Sequence, residues 1–235
     1  LQVFVSSLTA FYRHYFRIHI HHRDHVPQTG RCMLVGNHSG GIALDAAMVL
    51  TSCFWELEPP RLVHAMAEKF IARVPGAATW TNRCGQFTGL PEHAEKLLEN
   101  DRMLMVFPEG ARGTKKLYRE RYSLVQFGTG FVRLARRMKT PIIPFAFLGG
   151  GDAIPTIYNS DRLGKVLGAP YVPITPWLVT VPVPARLDIV WGAPIVFEGS
   201  GNEDDAVIAR DVALVKETIA SLIEEGRHLR REKTS

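Results

Sequence analysis

Cysteine is scarce in this chain. Cys32, Cys53 and Cys84 are the only three in 235 residues, and no two stand in a Cys-x-x-Cys pattern. That spacing excludes a disulfide framework and a zinc knuckle, and an odd, sparse count fits a reducing compartment. No uninterrupted apolar run is long enough to cross a bilayer as a helix. The phosphate loop Gly-x-x-x-x-Gly-Lys is absent, and Gly128-Thr129-Gly130 lacks the third glycine of the dinucleotide-binding pattern. A hydrolase nucleophile elbow, Gly-x-Ser-x-Gly, also fails, because Asn37 stands two residues before Ser39. Internal repeats and low-complexity linkers are missing too.

What is present suits one sizeable core. The chain is 46% hydrophobic and 22% charged, and two full domains would be cramped at this length. The expectation is a single domain over residues 1–235. Its net charge of +5 favours phosphate-bearing substrates, anionic membrane surfaces or nucleic acid without choosing among them.

Periodicity divides the chain into alternating elements. Leu1, Phe4, Leu8, Phe11 and Tyr15 form a helical stripe, which predicts an amphipathic helix over 1–15. Strands are predicted near Phe16–Ile20, Arg31–Gly36, Arg61–Ala67, Gln86–Phe87, Met103–Phe107, Pro141–Leu148 and Leu187–Trp191. Helices are predicted over Leu44–Cys53, Glu68–Ala78, Pro91–Asn100, Ser123–Lys139 and Asp204–Arg231, the last running into a charged tail that reaches residue 235. Asp152–Pro184 is rich in Pro, Gly and aromatics and reads as a long ordered excursion, near lipid or lining an acyl channel. The alternation implies an α/β sandwich with a mixed central sheet flanked by helices.

Two short segments end predicted strands and carry chemistry. The first is Asn37-His38-Ser39-Gly40-Gly41-Ile42-Ala43-Leu44-Asp45. Histidine acts as a base near neutral pH, and a carboxylate fixes its tautomer and stabilises the imidazolium. Gly40 and Gly41 permit a loop that folds Asp45 back toward His38. The plainer alternative is a strand cap followed by a helix start. The second segment is Phe107-Pro108-Glu109-Gly110-Ala111-Arg112. Its turn residues aim Glu109 and Arg112 out of the sheet, where the Arg112 fork suits phosphate. Ligands of open α/β sheets bind beyond strand ends, so the two segments together point to one shared site.

These blocks resemble the glycerophospholipid and lysophospholipid acyltransferase family. Asn37-His38 with Asp45 is similar to its first block, Phe107 to Arg112 to its third, and Pro141-Ile142-Ile143-Pro144 to its fourth. Gly85-Gln86-Phe87-Thr88-Gly89 falls at the second. Six residues separate His38 from Asp45 where the family has four, and Gly89 stands where the second block carries Arg. Together with Gly89 to Ala94, this looks like a divergent branch near monoacylglycerol-type acyltransferases.

The resemblance implies acyl transfer from a thioester, acyl-CoA or acyl carrier protein, to a lipid hydroxyl. His38 would be the base and Asp45 its orienting acid. Phe107, Pro108, Glu109, Gly110 and Arg112 would bind the acceptor, and Asn37, Ser39, Gly40 and Gly41 would complete the site loop. No metal or resident cofactor is implied; the thioester is a co-substrate. A membrane surface is an expected partner and nucleic acid is not. The expected location is the cytoplasmic face of a membrane, peripheral or monotopic. Two rivals remain: a thioesterase or esterase, and an inactive lipid-binding adaptor of the same fold, which the longer His-to-Asp spacing would favour.

Other residues carry plainer readings. His19, His21, His22 and His25 read as a solvated strand face, since no Cys or carboxylate cluster completes a metal site. Lys115, Lys116, Arg119 and Arg121 suit lipid headgroups or CoA phosphates as well as a solvated loop.

Overall fold

The computed structural model describes residue 6 and residues 8–39, 43–67, 86–88, 91–178 and 180–232. The predicted helix over 68–78, Gly40, Gly41, Gly89 and the first five residues lie outside them.

Nine strands are named here in chain order: β1 (Arg17–His21), β2 (Cys32–Gly36), β3 (Val63–Ala67), β4 (Gln86–Thr88), β5 (Met103–Val106), β6 (Ile142–Leu148), β7 (Tyr158–Ser160), β8 (Val172–Ile174) and β9 (Arg186–Trp191). Seven form one sheet in the order β1-β9-β6-β2-β5-β3-β4, and β7 and β8 form a separate pair. Within the large sheet, β6 and β9 are antiparallel and every other neighbouring pair is parallel. The mixed sheet expected from the sequence is therefore the one found.

Central strands are apolar without alternation because both faces are covered. All five residues of β2 and all seven of β6 are buried. Pro144 is tolerated inside β6 because its carbonyl, and hence its missing N–H, faces the β9 side. There the ladder has ended at Phe145↔Trp191, and only the Gly192 N–H reaches the Pro144 carbonyl, at 2.8 Å.

Among the described residues the named α-helices are α1 (Leu44–Glu56), α2 (Pro91–Glu99), α3 (Ala111–Thr114), α4 (Gly130–Arg137), α5 (Gly150–Ala153), α6 (Asp161–Leu167) and α7 (Asp205–Glu232). One sheet face packs Leu34, Met105, Phe145 and Trp191 against α1 and the N-terminal segment. The other packs Met33, Leu104, Ala146 and Val190 against α2, α4 and α7. Helix α7, about 42 Å long at 1.5 Å per residue, buries Ile208, Asp211, Val215, Ile219, Leu222 and Ile223 at helical spacing. Gly226 lets it lie close to β6: a Cβ there would stand 2.6 Å from Leu148 Cδ1.

Two expectations need correction and two gain detail. The helix predicted over Ser123–Lys139 is confined to Gly130–Arg137. Residues 123–128 stay extended because their backbone groups serve the second motif. The Ser123 carbonyl accepts from Lys116, the Val125 N–H donates to Glu109, and the Gly128 N–H donates to the Pro108 carbonyl.

Of the amphipathic helix predicted over 1–15, the described part ends in a wider turn. Phe11–Tyr15 is a π turn closed by the Phe16 N–H on the Phe11 carbonyl at 2.9 Å. The wider turn buries Tyr12 and leaves Phe11 48% exposed. The histidine patch is engaged rather than solvated. His21 pairs with buried Asp188 at 3.1 Å, His22 with Glu225 at 2.6 Å, and His25 Nδ1 with the Trp191 carbonyl at 3.0 Å. Finally, the Asp152–Pro184 excursion holds the end of α5, the β7–β8 pair and α6.

Candidate active site

β2 delivers Asn37, His38 and Ser39 to the end of the sheet. Asn37 extends the sheet pairing with its side chain: Nδ2 donates to the Phe147 carbonyl at 3.0 Å and Oδ1 accepts from the Phe147 N–H at 2.7 Å. The last residue of β2, Gly36, must be small, because a Cβ there would stand 2.3 Å from the Phe145 ring.

The chain then returns so that Asp45, in the first turn of α1, sits 0% exposed beneath the loop. His38 Nδ1 lies 2.6 Å from Asp45 Oδ2. The same oxygen accepts the Ser39 N–H at 2.8 Å, and Oδ1 accepts the Ala46 N–H at 2.7 Å. The positive end of α1 adds a favourable field for the carboxylate. With the carboxylate accepting, Nδ1 carries the proton and Nε2 is left as the basic nitrogen. Six intervening residues thus span the loop and still close a short contact.

The imidazole is fixed from a second side. The Phe107 ring stacks on it with centroids 4.1 Å apart and planes 13° from parallel, and Phe145 meets Phe107 edge-on at 5.9 Å. Gly113 packs beneath, where a Cβ would approach His38 Cβ to 2.7 Å and Glu109 Cβ to 2.8 Å. Gly110, with φ of +55°, makes the turn that presents this segment.

Glu109 and Pro108, expected from the sequence to face an acceptor, are instead turned inward. Both are buried, Glu109 to 1% exposure. Its carboxylate is consumed internally. Oε1 accepts the His38 N–H at 2.9 Å, Oε2 accepts the Val125 N–H at 2.9 Å, and Lys116 Nζ bridges both oxygens at 3.1 and 3.0 Å. Glu109 therefore holds the backbone of the His38 loop. Phe107 is likewise committed to His38, whereas Arg112 is exposed, with one bond to the Gln126 carbonyl at 3.2 Å.

Sequence reasoning missed Lys116 as part of this arrangement and treated it as a surface cation. Its side chain is 4% exposed, and its ammonium also donates to the Ser123 carbonyl at 2.9 Å. Burial pushes its pKa below the ordinary lysine value, and the Glu109 carboxylate opposes that. The one available signal was its position seven residues after Glu109, beyond the turn. Gly113 and Gly150 were missed as well; a Cβ on Gly150 would stand 2.7 Å from Ser39 Oγ. Cys32 and Cys53 are no rivals as nucleophiles, since burial pushes their thiols up to about 11 and about 12.

This end of the α/β sheet thus carries a buried carboxylate behind an oriented histidine, braced by a Glu–Lys pair. Residues 17–148 match the Acyltransferase family model, and the chain belongs to that family. In sequence, it is 29% identical over 222 residues to an uncharacterized protein of Mycobacterium tuberculosis, covering 90% of this chain and 62% of that protein. The chain thus spans a little over three fifths of the length of that relative. A Gallus gallus protein named "DGAT1/2-independent enzyme synthesizing storage lipids" is 26% identical over 156 residues, covering 66% of this chain and 46% of that one. In structure, the fold is similar to PlsC, the 1-acyl-sn-glycerophosphate acyltransferase of Thermotoga maritima, with a TM-score of 0.64 and 15% identity over 96% of this chain and 78% of that chain.

Proposed function

We propose that this chain moves a fatty acyl group from a thioester donor, acyl-CoA or acyl carrier protein, to a hydroxyl of a lysophospholipid, glycerolipid or related lipid acceptor. The observation that carries this reading is the 2.6 Å contact between His38 Nδ1 and fully buried Asp45. His38 Nε2 takes the acceptor hydroxyl proton as the oxygen attacks the thioester carbonyl. Asp45 stabilises the imidazolium that forms, and the imidazolium returns the proton to the departing thiolate. The thiol leaves and the new oxygen ester remains, with no acyl-enzyme needed. Phe107 and Gly113 hold the ring in plane for this transfer, and Arg112 is placed to meet an anionic acceptor group. The work is done at a membrane surface, on its cytoplasmic face.

Hydrolysis is the same chemistry with water in place of the acceptor, so a thioesterase side reaction follows from the same pair. The inactive-adaptor alternative required His38 and Asp45 to be apart; their contact argues for the enzyme. The test is transfer of labelled acyl groups from acyl-CoA to a panel of lysophospholipids, glycerol-3-phosphate, monoacylglycerol and glycolipids. His38→Ala should lower the rate on the order of 10²–10⁴-fold, with the fold kept by circular dichroism. A wild-type rate in that variant would remove His38 from the mechanism.

A further inference from the structure

Thirteen large apolar side chains are exposed among the described residues, and eight of them fall between residues 157 and 181. Val166 is 82% exposed, Leu178 75%, and Ile157, Leu167 and Val181 more than half. Concentration on one stretch of the chain sets this patch apart from the scattered apolar residues of an ordinary surface. Meanwhile the excursion is tied to the segment that follows the second motif. Tyr171 is buried and its hydroxyl bonds Thr114 Oγ1, Asn159 Nδ2 donates to the Lys115 carbonyl at 2.6 Å, and Lys115 Nζ meets Asp161 at 2.8 Å. The outward side chains are therefore a built surface, resting on the segment that includes Gly113 beneath His38.

Topology puts this surface at the catalytic end of the sheet. β6 runs parallel to β2 and ends where His38 stands; β9 runs the opposite way and begins there. Residues 149–185 join the two. The N-terminal turn reaches the same end, where the Tyr15 hydroxyl donates to the Pro182 carbonyl at 2.8 Å beside exposed Phe11.

Charge identifies the occupant. Residues 155–184 contain only Asp161, Arg162 and Lys165 as charged residues, and the lone acid is paired with Lys115. Arg162 and Lys165 are exposed on the same short helix as Val166 and Leu167. Apolar side chains with cations at their edge and an interfacial Tyr158 and Trp177 match the boundary between anionic headgroups and acyl chains. No helix among the described residues is long and apolar enough to cross a membrane.

We propose that the exposed apolar side chains from Ile157 to Leu178, with Val181, form the surface by which this chain rests on an anionic lipid bilayer, opening the His38 end of the sheet toward the lipid. The proposal rests on the acyltransferase reading for why the surface adjoins His38, but its test does not need turnover. The full chain is floated with vesicles of phosphatidylcholine alone and with phosphatidylglycerol added, alongside the triple variant Val166→Asp, Leu167→Asp, Leu178→Asp and the double variant Arg162→Glu, Lys165→Glu. The wild type should float with the mixed vesicles. The triple variant should bind at least tenfold more weakly to both vesicle types. The double variant should lose only the added affinity for phosphatidylglycerol. Hydrolysis of a short-chain, water-soluble acyl-CoA, with circular dichroism, shows that the variants remain folded; absence of hydrolysis in the wild type as well would count against the catalytic reading while leaving the flotation result to stand. Wild-type flotation by the triple variant would overturn the proposal. So would a wild-type dimer in light scattering that the triple variant dissociates while vesicle binding is unchanged, because the patch would then be a contact between two copies.

Discussion

The His38 loop and the excursion beside it obey opposite rules, although both stand at one end of the same sheet. Around His38 the polar groups are buried and paired: Asp45, Glu109 and Lys116 together accept or donate the bonds that fix two turns of backbone. In the excursion the apolar groups are exposed while polar contacts from Tyr171 and Asn159 tie it to Thr114 and Lys115. A buried network is specific but costly to disturb. An exposed apolar surface contributes little to folding and is kept for what it touches. Substitutions in the two regions should therefore fail in different ways.

The largest stability effect belongs to Lys116→Met. It leaves the Glu109 carboxylate buried without its cation, and breaking a buried pair in this way costs about 3–5 kcal/mol. Chemical denaturation should show a loss of that size. Replacing both partners, Glu109→Gln with Lys116→Met, should cost less than the two single changes summed, because no unpaired charge is left. A loss below about 1 kcal/mol in the single variant, the range of exposed pairs, would mean that the pair is not desolvated and that the contrast between the two regions is overstated.

Gly113→Ala comes next. The added methyl would press on both His38 Cβ and Glu109 Cβ, at 2.7 and 2.8 Å, neither of which is the end of a flexible chain. Overpacking of this kind costs about 1–3 kcal/mol. More tellingly, it displaces the imidazole, so kcat should fall while acceptor KM changes little. Equal loss in both would place the strain in the acceptor site instead.

The two regions also differ in how far sequence could reach them. The strand ends carrying His38 and Phe107 were legible because parallel, doubly covered strands read as unbroken apolar runs, and each ended at a motif. The mixed sheet followed from the alternation of elements. The role of Glu109 was not legible: a carboxylate in a Pro/Gly turn looks solvent-facing until the fold shows the His38 N–H, Val125 N–H and Lys116 converging on it from 71, 16 and 7 residues away. The false helix over 123–129 has the same cause, since periodicity cannot register that the backbone there is already bonded to the motif. In the N-terminal segment a single π turn buries Tyr12, which stands outside the helical stripe, and leaves Phe11 of the stripe exposed. The excursion lacked periodicity because its elements are three to seven residues long, too short for either period to repeat.

Arg112→Ala isolates the one motif side chain that remains exposed and charged. Its single bond to the Gln126 carbonyl at 3.2 Å predicts a stability change within about 0.5 kcal/mol. Acceptor KM should rise for anionic acceptors and stay constant for neutral ones. A uniform change across both classes would take Arg112 out of acceptor recognition and leave it a solvated turn residue.

The smallest expected effect is the most diagnostic for the comparison. Val166→Asp places a charge where a core residue would not survive it, yet the site is 82% exposed and surface substitutions usually stay within about 0.5 kcal/mol. Thermal unfolding in buffer should barely move. If Val166 were covered in the dissolved chain, by another copy or by a segment outside the described residues, the same change would bury an unpaired carboxylate and lower the midpoint plainly. The measurement thus reads the surface without lipid and without catalysis. An unchanged midpoint leaves the side chain free for an external apolar partner, while a marked drop would make the excursion part of the folded interior and erase the difference between the two regions.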